Sequence, residues 1–177
     1  MSKEFENFVR GASKVAEEQH PFDAEQEKRT WATKLDELHA IVERSLRPFF
    51  QDGSISIRPE VIRLSEPHLG SYDAKGVRIV LGNLTAQLKP IATFVVGARG
   101  RVDLIGPRGR VRIVLVPADT TSFPIRAVSA SGADRTSPPV DEWRWKFTTS
   151  PPHVRYVDVD EESFQNALME VMGASNG

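Results

Sequence analysis

The amino-acid sequence predicts a single α+β domain with two N-terminal helices, a mainly antiparallel meander sheet of six to eight strands, and a C-terminal helix. Three observations predict this fold. Apolar residues recur at spacings of three and four near both ends of the chain, and they alternate with polar residues in the middle. No helical segment separates the middle strands, so we expect them to pair as hairpins. The 177 residues suffice for one domain with a buried core.

Residues 1–50 are predicted to form the two N-terminal helices. The first helix carries an apolar face made of Phe5, Phe8, Val9, Ala12, Val15 and Ala16. The second helix opens at a capping box of Asp23 and Gln26, and we expect Arg47-Pro48 to close it. Its apolar stripe consists of Trp31, Leu35, Leu38, Val42 and Leu46. The preferred interpretation of the stripe is a contact with the core of the domain, and the second interpretation is a dimer seam.

Residues 54–159 are predicted to form the sheet, because the apolar period changes to two after Gly53. Pro59 indicates an edge strand or a break near the start of the sheet. We expect a loop over residues 66–76, and a turn at Gly82-Asn83.

The clearest local element is a hairpin around the loop Gly106-Pro107-Arg108-Gly109. If Ile105 lies opposite Arg110, then Leu104 faces Val111, Asp103 faces Arg112 and Val102 faces Ile113. Apolar residues then meet apolar residues, and the single acid meets an arginine. This agreement predicts the register of the hairpin.

The segment near 118–141 is rich in Ser, Thr, Pro, Ala and Gly, which indicates a flexible insert with one short strand at 125–129. Trp143, Trp145 and Phe147 alternate with basic residues, so we expect the three rings to share the core side of a strand. Asp160 is predicted to cap a C-terminal helix over residues 160–173.

Several function classes have no signature in the sequence. The chain has no cysteine, and its four histidines lack metal-ligand spacing, so we expect no metal and no cofactor. The sequence contains neither a phosphate-binding loop nor a dinucleotide fingerprint. No apolar run approaches the length of a membrane span, and the N-terminus does not resemble a signal peptide. These features predict a cytoplasmic protein that does not bind membranes.

Charge is distributed unevenly, although the net charge is only −1. Residues 91–117 hold five arginines and one acid, whereas residues 141–177 hold seven acids and three basic residues. If the apolar residues of the sheet point to the core, most of these basic side chains share the opposite face. The candidate binding residues are Arg99, Arg101, Arg108, Arg110, Arg112 and Arg144. A solvated sheet face that is paired with the acidic helices of the same chain is the plain structural interpretation.

Three functions are compatible with this sequence. The leading hypothesis is a non-catalytic interaction module that binds a protein partner, or a second copy of itself, through the basic sheet face or the long second helix. The first alternative is a nucleic-acid-binding protein that uses the arginine-rich hairpin 97–112. The second alternative is a small enzyme centred on the segment 66–73, where His68, Tyr72 and Asp73 lie close in sequence.

Overall fold

The computed structural model of the chain describes residues 3–18, 23–93, 98–121, 142–149 and 152–173, with the side chains of residues 3–10 described in the first helix. The predicted strand at 125–129 and most of the predicted flexible insert lie outside the described residues.

Among the described residues, two helices precede the sheet and one follows it: α1 (Lys3–Glu18), α2 (Ala24–Gln51) and α3 (Glu161–Met172). The Asp23 carboxylate caps α2 by accepting a hydrogen bond from the backbone N–H of Gln26 at 3.1 Å. The expected end of this helix at Arg47-Pro48 is wrong, because α2 continues to Gln51. Proline removes one N–H donor, but the Pro48 carbonyl still accepts from the Asp52 N–H at 3.3 Å.

In the part of the chain that the structure describes, seven antiparallel strands form one sheet in which each strand pairs with the next along the chain. The strands are β1 (Ile55–Glu66), β2 (Gly70–Leu81), β3 (Leu84–Ala92), β4 (Arg101–Gly106), β5 (Gly109–Pro117), β6 (Trp143–Thr148) and β7 (Tyr156–Asp158). The predicted α+β meander with helices at both ends is therefore confirmed. Pro59 lies in β1, which forms one edge of the sheet, as its missing N–H donor predicts.

The loop expected over residues 66–76 is wrong, because β1 and β2 form one long hairpin with its turn between Glu66 and Gly70. Within this hairpin Ala74 lies opposite Ile62, and Tyr72 lies opposite Leu64. These partners bury apolar surface together, although β2 is interrupted in sequence by charged residues and glycines. The pairing is thus decided by cross-strand neighbours rather than by the local pattern.

The β4–β5 hairpin has the predicted register, with Ile105 opposite Arg110 and Asp103 opposite Arg112. Its tip lies against the end of α3, where the backbone N–H of Arg108 donates to the Val171 carbonyl at 2.9 Å. A Cβ atom on Gly106 would lie 2.4 Å from that carbonyl oxygen. Glycine therefore permits the close approach of the hairpin to the helix.

The core lies between α2, α3 and one face of the sheet, called here the core face. The whole stripe of α2 is buried in it: Trp31, Leu35, Leu38, Val42 and Leu46. Trp31 packs on Trp145 of β6 with ring centroids 5.8 Å apart, and the indole N–H of Trp145 donates to the Lys34 carbonyl at 2.7 Å. The predicted core role of the stripe is confirmed, and its apolar surface is taken up within the chain.

His39 on α2 is a titratable side chain whose buried position disfavours the charged form of the imidazole. Both ring nitrogens are buried without a hydrogen-bond partner among the described residues. The pKa of His39 is lowered from 6.5 to about 4, mainly by burial and then by the Lys75 ammonium, whereas the Asp36 carboxylate opposes the shift. The imidazole is therefore neutral in the folded protein at neutral pH.

We expect the fold to lose stability between pH 7 and pH 5 because of His39. Above pH 6.5 the imidazole is neutral in both states. Below it the unfolded chain takes up a proton that the folded chain does not, which costs at most about 2 kcal/mol by pH 5. Urea unfolding of His39→Phe at both pH values should show a smaller loss than the parent.

The control for this measurement is His153→Gln, which replaces an exposed histidine. It should keep the pH dependence of the parent, because it leaves the buried His39 in place. An equal pH dependence in His39→Phe and the parent would contradict the assignment.

Candidate functional site

The sheet face opposite the core carries most of the basic side chains, and it is called here the outer face. Cross-strand register places eight basic side chains on it among the described residues: Arg58, Arg78, Lys89, Arg101, Arg110, Arg112, Arg144 and Lys146. Four acidic side chains share the face: Glu60, Glu66, Asp103 and Asp158. The basic side chains are thus concentrated on one side of the sheet, although the same register also places buried apolar side chains there, such as Tyr72, Ala74 and Val116.

Asp103 lies at the centre of the outer face and is 0% exposed. Its carboxylate accepts two hydrogen bonds from Arg101, at 2.8 and 2.9 Å, and one from Arg110 at 3.3 Å. These contacts fix the guanidinium of Arg101, and they raise its pKa above the usual value. A buried acid therefore holds two arginines in defined positions on the surface.

Two more cations flank Asp103 across the strands. Lys89 of β3 lies opposite it on one side, and Arg112 of β5 lies opposite it on the other. Lys89 is half-buried and Arg112 is exposed. Together with Arg101 and Arg110 they place four positive charges around one carboxylate. This arrangement leaves a local excess of positive charge that can attract an anion.

Glu60 on β1 is a further acidic side chain of the outer face. It accepts a hydrogen bond from Arg78 at 2.6 Å and one from Gln87 at 2.7 Å. The hydrogen bond from Gln87, followed by that from Arg78, lowers the pKa of Glu60. Arg78 is therefore paired within the chain. Among the described residues, the cations of the outer face without an ion-pair partner are Arg58, Lys89 and Arg112.

Two candidate arginines of the hairpin segment do not lie on the outer face. Arg99 binds both carboxylate oxygens of Glu27 on α2 at 3.1 Å and covers the ring of Trp143, 5.6 Å from its centroid. Arg108 lies in the β4–β5 turn, and its side chain approaches Gly173 at the end of α3. Both arginines join the sheet to a helix, so they have structural contacts that the sequence pattern did not indicate.

The β6 strand separates its aromatic and basic residues as predicted. The rings of Trp143 and Trp145 are buried on the core face, while Arg144 is exposed on the outer face and donates to the Trp143 carbonyl at 3.0 Å. Arg155 does not lie on the outer face. Val157 lies opposite the core-face residue Phe147, and Arg155 is two residues before Val157, so strand alternation puts it on the side of Phe147.

The chain that follows β5 covers one part of the outer face. Lys146 is buried there and donates to the carbonyls of Ala118 and Thr120 at 2.7 and 2.8 Å. It also lies 3.3 Å from the carboxylate of Asp158. The accessible basic region is therefore formed by β3, β4 and the first half of β5.

The structure does not bring His68, Tyr72 and Asp73 together. Tyr72 is buried with Glu66 and Thr93, and burial followed by the hydrogen bond to Glu66 raises its pKa well above the usual value. Asp73 is on the opposite face of β2, where it pairs with Arg63 at 2.9 Å. His68 is exposed in the β1–β2 turn. This arrangement offers no shared acid–base centre.

A small pocket lies between α2 and the ends of the strands, and it is lined by Glu27, Thr30, Trp31, Lys34, Thr93, Arg99 and Leu115. Its volume of about 10 Å³ corresponds to roughly one water molecule, which is too small for a substrate. The described part of the chain groups no three acidic or histidine side chains that could hold a metal ion. It also contains no helix that is long and apolar enough to cross a membrane.

Comparisons with protein-family models, curated proteins and solved structures find no match to this chain. The function must therefore be inferred from the site itself.

We expect Asp103→Asn to destabilise the fold by about 2 kcal/mol, because the charge-assisted hydrogen bonds to Arg101 are weakened in a buried place. Arg110→Gln is the matched control. Its side chain is 57% exposed, so its loss should change the free energy of unfolding by less than about 1 kcal/mol. Urea unfolding measures both. Equal losses in the free energy of unfolding for the two substitutions would contradict this prediction, because the contribution of Asp103 would then not depend on its burial.

Proposed function

We propose that this protein is a non-catalytic interaction module that binds an acidic protein partner through the outer face of its sheet. The observation that carries the proposal is the row Lys89, Asp103 and Arg112 with Arg101 and Arg110 beside it. Four cations surround one buried carboxylate, so the face attracts anions even though the whole chain is slightly acidic.

Burial of Asp103 favours a binding role over a merely solvated surface. A solvated face needs no buried acid, whereas Asp103 holds Arg101 in one orientation with both guanidinium contacts below 3.0 Å. A fixed guanidinium loses little conformational entropy when it meets a carboxylate of a partner. Lys89 and Arg112 have no ion-pair partner among the described residues, so they can contribute further contacts.

The outer face is a better candidate than the long helix α2. The apolar stripe of α2 is buried against the sheet, from Trp31 at one end to Leu46 at the other. A partner on this helix would meet a mostly polar side, on which Phe49 is the exposed large apolar side chain among the described residues. The outer face, by contrast, offers a net positive charge over three neighbouring strands, with four cations around Asp103.

A protein partner is favoured over a nucleic acid. Single-stranded nucleic acids are bound by exposed aromatic rings that stack on bases, and the rings of Trp143 and Trp145 are buried. Arg99 and Arg108, which would extend the basic strip along the hairpin, contact helices of the same chain instead. The remaining cations form a compact patch that suits a short acidic segment.

Fluorescence anisotropy with a labelled oligoglutamate peptide tests the proposal at about 50 and about 200 mM salt. The peptide should bind the parent protein, and Lys89→Glu and Arg112→Glu should each weaken binding at least about tenfold. Arg155→Glu is the matched control, because it reverses the charge of an exposed arginine away from the outer face. It should leave the affinity nearly unchanged.

Two outcomes would contradict the proposal. The first is no peptide binding at the lower salt, and the second is an equal loss in Arg155→Glu and Arg112→Glu. Labelled single-stranded DNA, duplex DNA and RNA are measured in parallel. Tighter binding of any of these than of the peptide at both salt concentrations would favour the nucleic-acid alternative.

A further inference from the structure

The helix α1 exposes a large apolar surface that the fold of the chain does not explain. Phe5, Phe8 and Val9 lie on one side of the helix at spacings of three and four, and they are 60%, 70% and 44% exposed. Among the described residues α1 packs extensively against no other helix or strand. A helix of 16 residues is marginal in water without packing, so this apolar side needs a partner.

Acidic residues stand beside the apolar side of α1. Glu4 and Glu6 are the sequence neighbours of Phe5, so each lies about 100° around the helix from it, on opposite sides. Glu6 contacts Arg10 in an exposed ion pair at 2.6 Å, which contributes little and can be exchanged for another cation. The helix thus presents an apolar strip with a carboxylate on each side.

A membrane surface does not suit this helix. Helices that lie on membranes are rich in lysine and arginine on their polar side. The sequence of α1 holds four glutamates against three basic residues. The apolar side with its acidic edges is therefore suited to a protein surface that offers cations beside apolar side chains.

The outer face has this character. Ile105 lies half-buried on it, between Gln87 on β3 and Arg110 on β5, and Arg112 is the next outer-face residue along β5. The side chain of Ile105 can contact the phenylalanines of α1, while the arginines beside it can contact the glutamates. The apolar side of α1 with its acidic edges and the outer face around Ile105 are thus complementary in charge and in apolar contact.

We propose that α1 of a second copy of this chain lies on the outer face, and that the two copies exchange these helices reciprocally in a two-fold dimer. This inference rests on the proposed function, since it identifies the acidic partner of the same face. Reciprocal exchange forms the contact twice and closes the assembly, so that neither helix nor face is left open to further copies.

Light scattering coupled to size-exclusion chromatography of the full chain tests the proposal over a series of concentrations. The parent should have twice the mass of 19.7 kDa. Phe8→Asp and Arg112→Glu should each be monomeric, while Arg155→Glu should remain dimeric. All three substituted side chains are exposed, so the fold of each variant should be retained.

A mixture of Phe8→Asp and Arg112→Glu decides where the helix binds. The first variant keeps an intact outer face and the second keeps an intact α1, so the mixture can form one of the two contacts. We expect a heterodimer in the mixture at concentrations where each variant alone is a monomer. A dimer formed by pairing of two α1 helices would not be restored in this way.

Three outcomes would overturn the inference: a monomeric parent at all concentrations, a dimer that is insensitive to both substitutions, or no complementation in the mixture. The binding of oligoglutamate to Phe8→Asp separates these failures from failure of the proposed function, because α1 and the peptide compete for the outer face in a dimeric parent, whereas this variant leaves the face uncovered. A monomeric parent that still binds the peptide through Arg112 would overturn the dimer alone, and the outer face would keep its role toward another acidic protein.

Discussion

The contact between the apolar stripe of α2 and the core face of the sheet is the constraint on which the rest of the structure depends. The stripe from Trp31 to Leu46 is buried there, and Trp145 fixes the helix to β6 by its packing and its hydrogen bond to the Lys34 carbonyl. An antiparallel sheet needs only one covered face, because its other face can be polar. The position of α2 thus decides which alternate residues become the outer face, and these include most of the basic side chains of the sheet.

Much of this fold could be predicted from the sequence where neighbouring residues agree with each other. The register of the β4–β5 hairpin follows from pairing Leu104 with Val111 and Asp103 with Arg112. The pattern fails over residues 66–76, where burial depends on the partner strand β1 and on Thr93, and both are remote from the local sequence. The end of α2 was misplaced because a proline in the last turn disturbs few hydrogen bonds.

The candidate site was predictable only in part. Alternation along β4 and β5 placed Arg101, Arg110 and Arg112 together, because strand parity determines the face. Arg99 and Arg108 lie outside regular strands, so strand alternation does not predict which way their side chains point. Their contacts with α2 and α3 are between segments remote in sequence, which no local pattern indicates. The place of Glu60 on the outer face was not predicted, because Pro59 was interpreted as a possible break in the strand. The alternation that puts Arg58 and Glu60 on the same face was therefore not continued past the proline. Continuing the alternation through the proline would have found it. The exposure of Phe5 and Phe8 depends on how α1 is placed, which no local pattern determines.

The central claim is that anionic protein groups bind at the centre of the outer face, and the most direct measurement is a nitrogen–proton NMR titration of the parent protein with oligoglutamate. The account predicts that the largest shift changes occur at backbone amides near Lys89, Asp103 and Arg112, with little change near Tyr72. Shift changes concentrated along α2, or spread evenly over all exposed arginines, would contradict it, because binding would then not depend on the cluster that Asp103 organises.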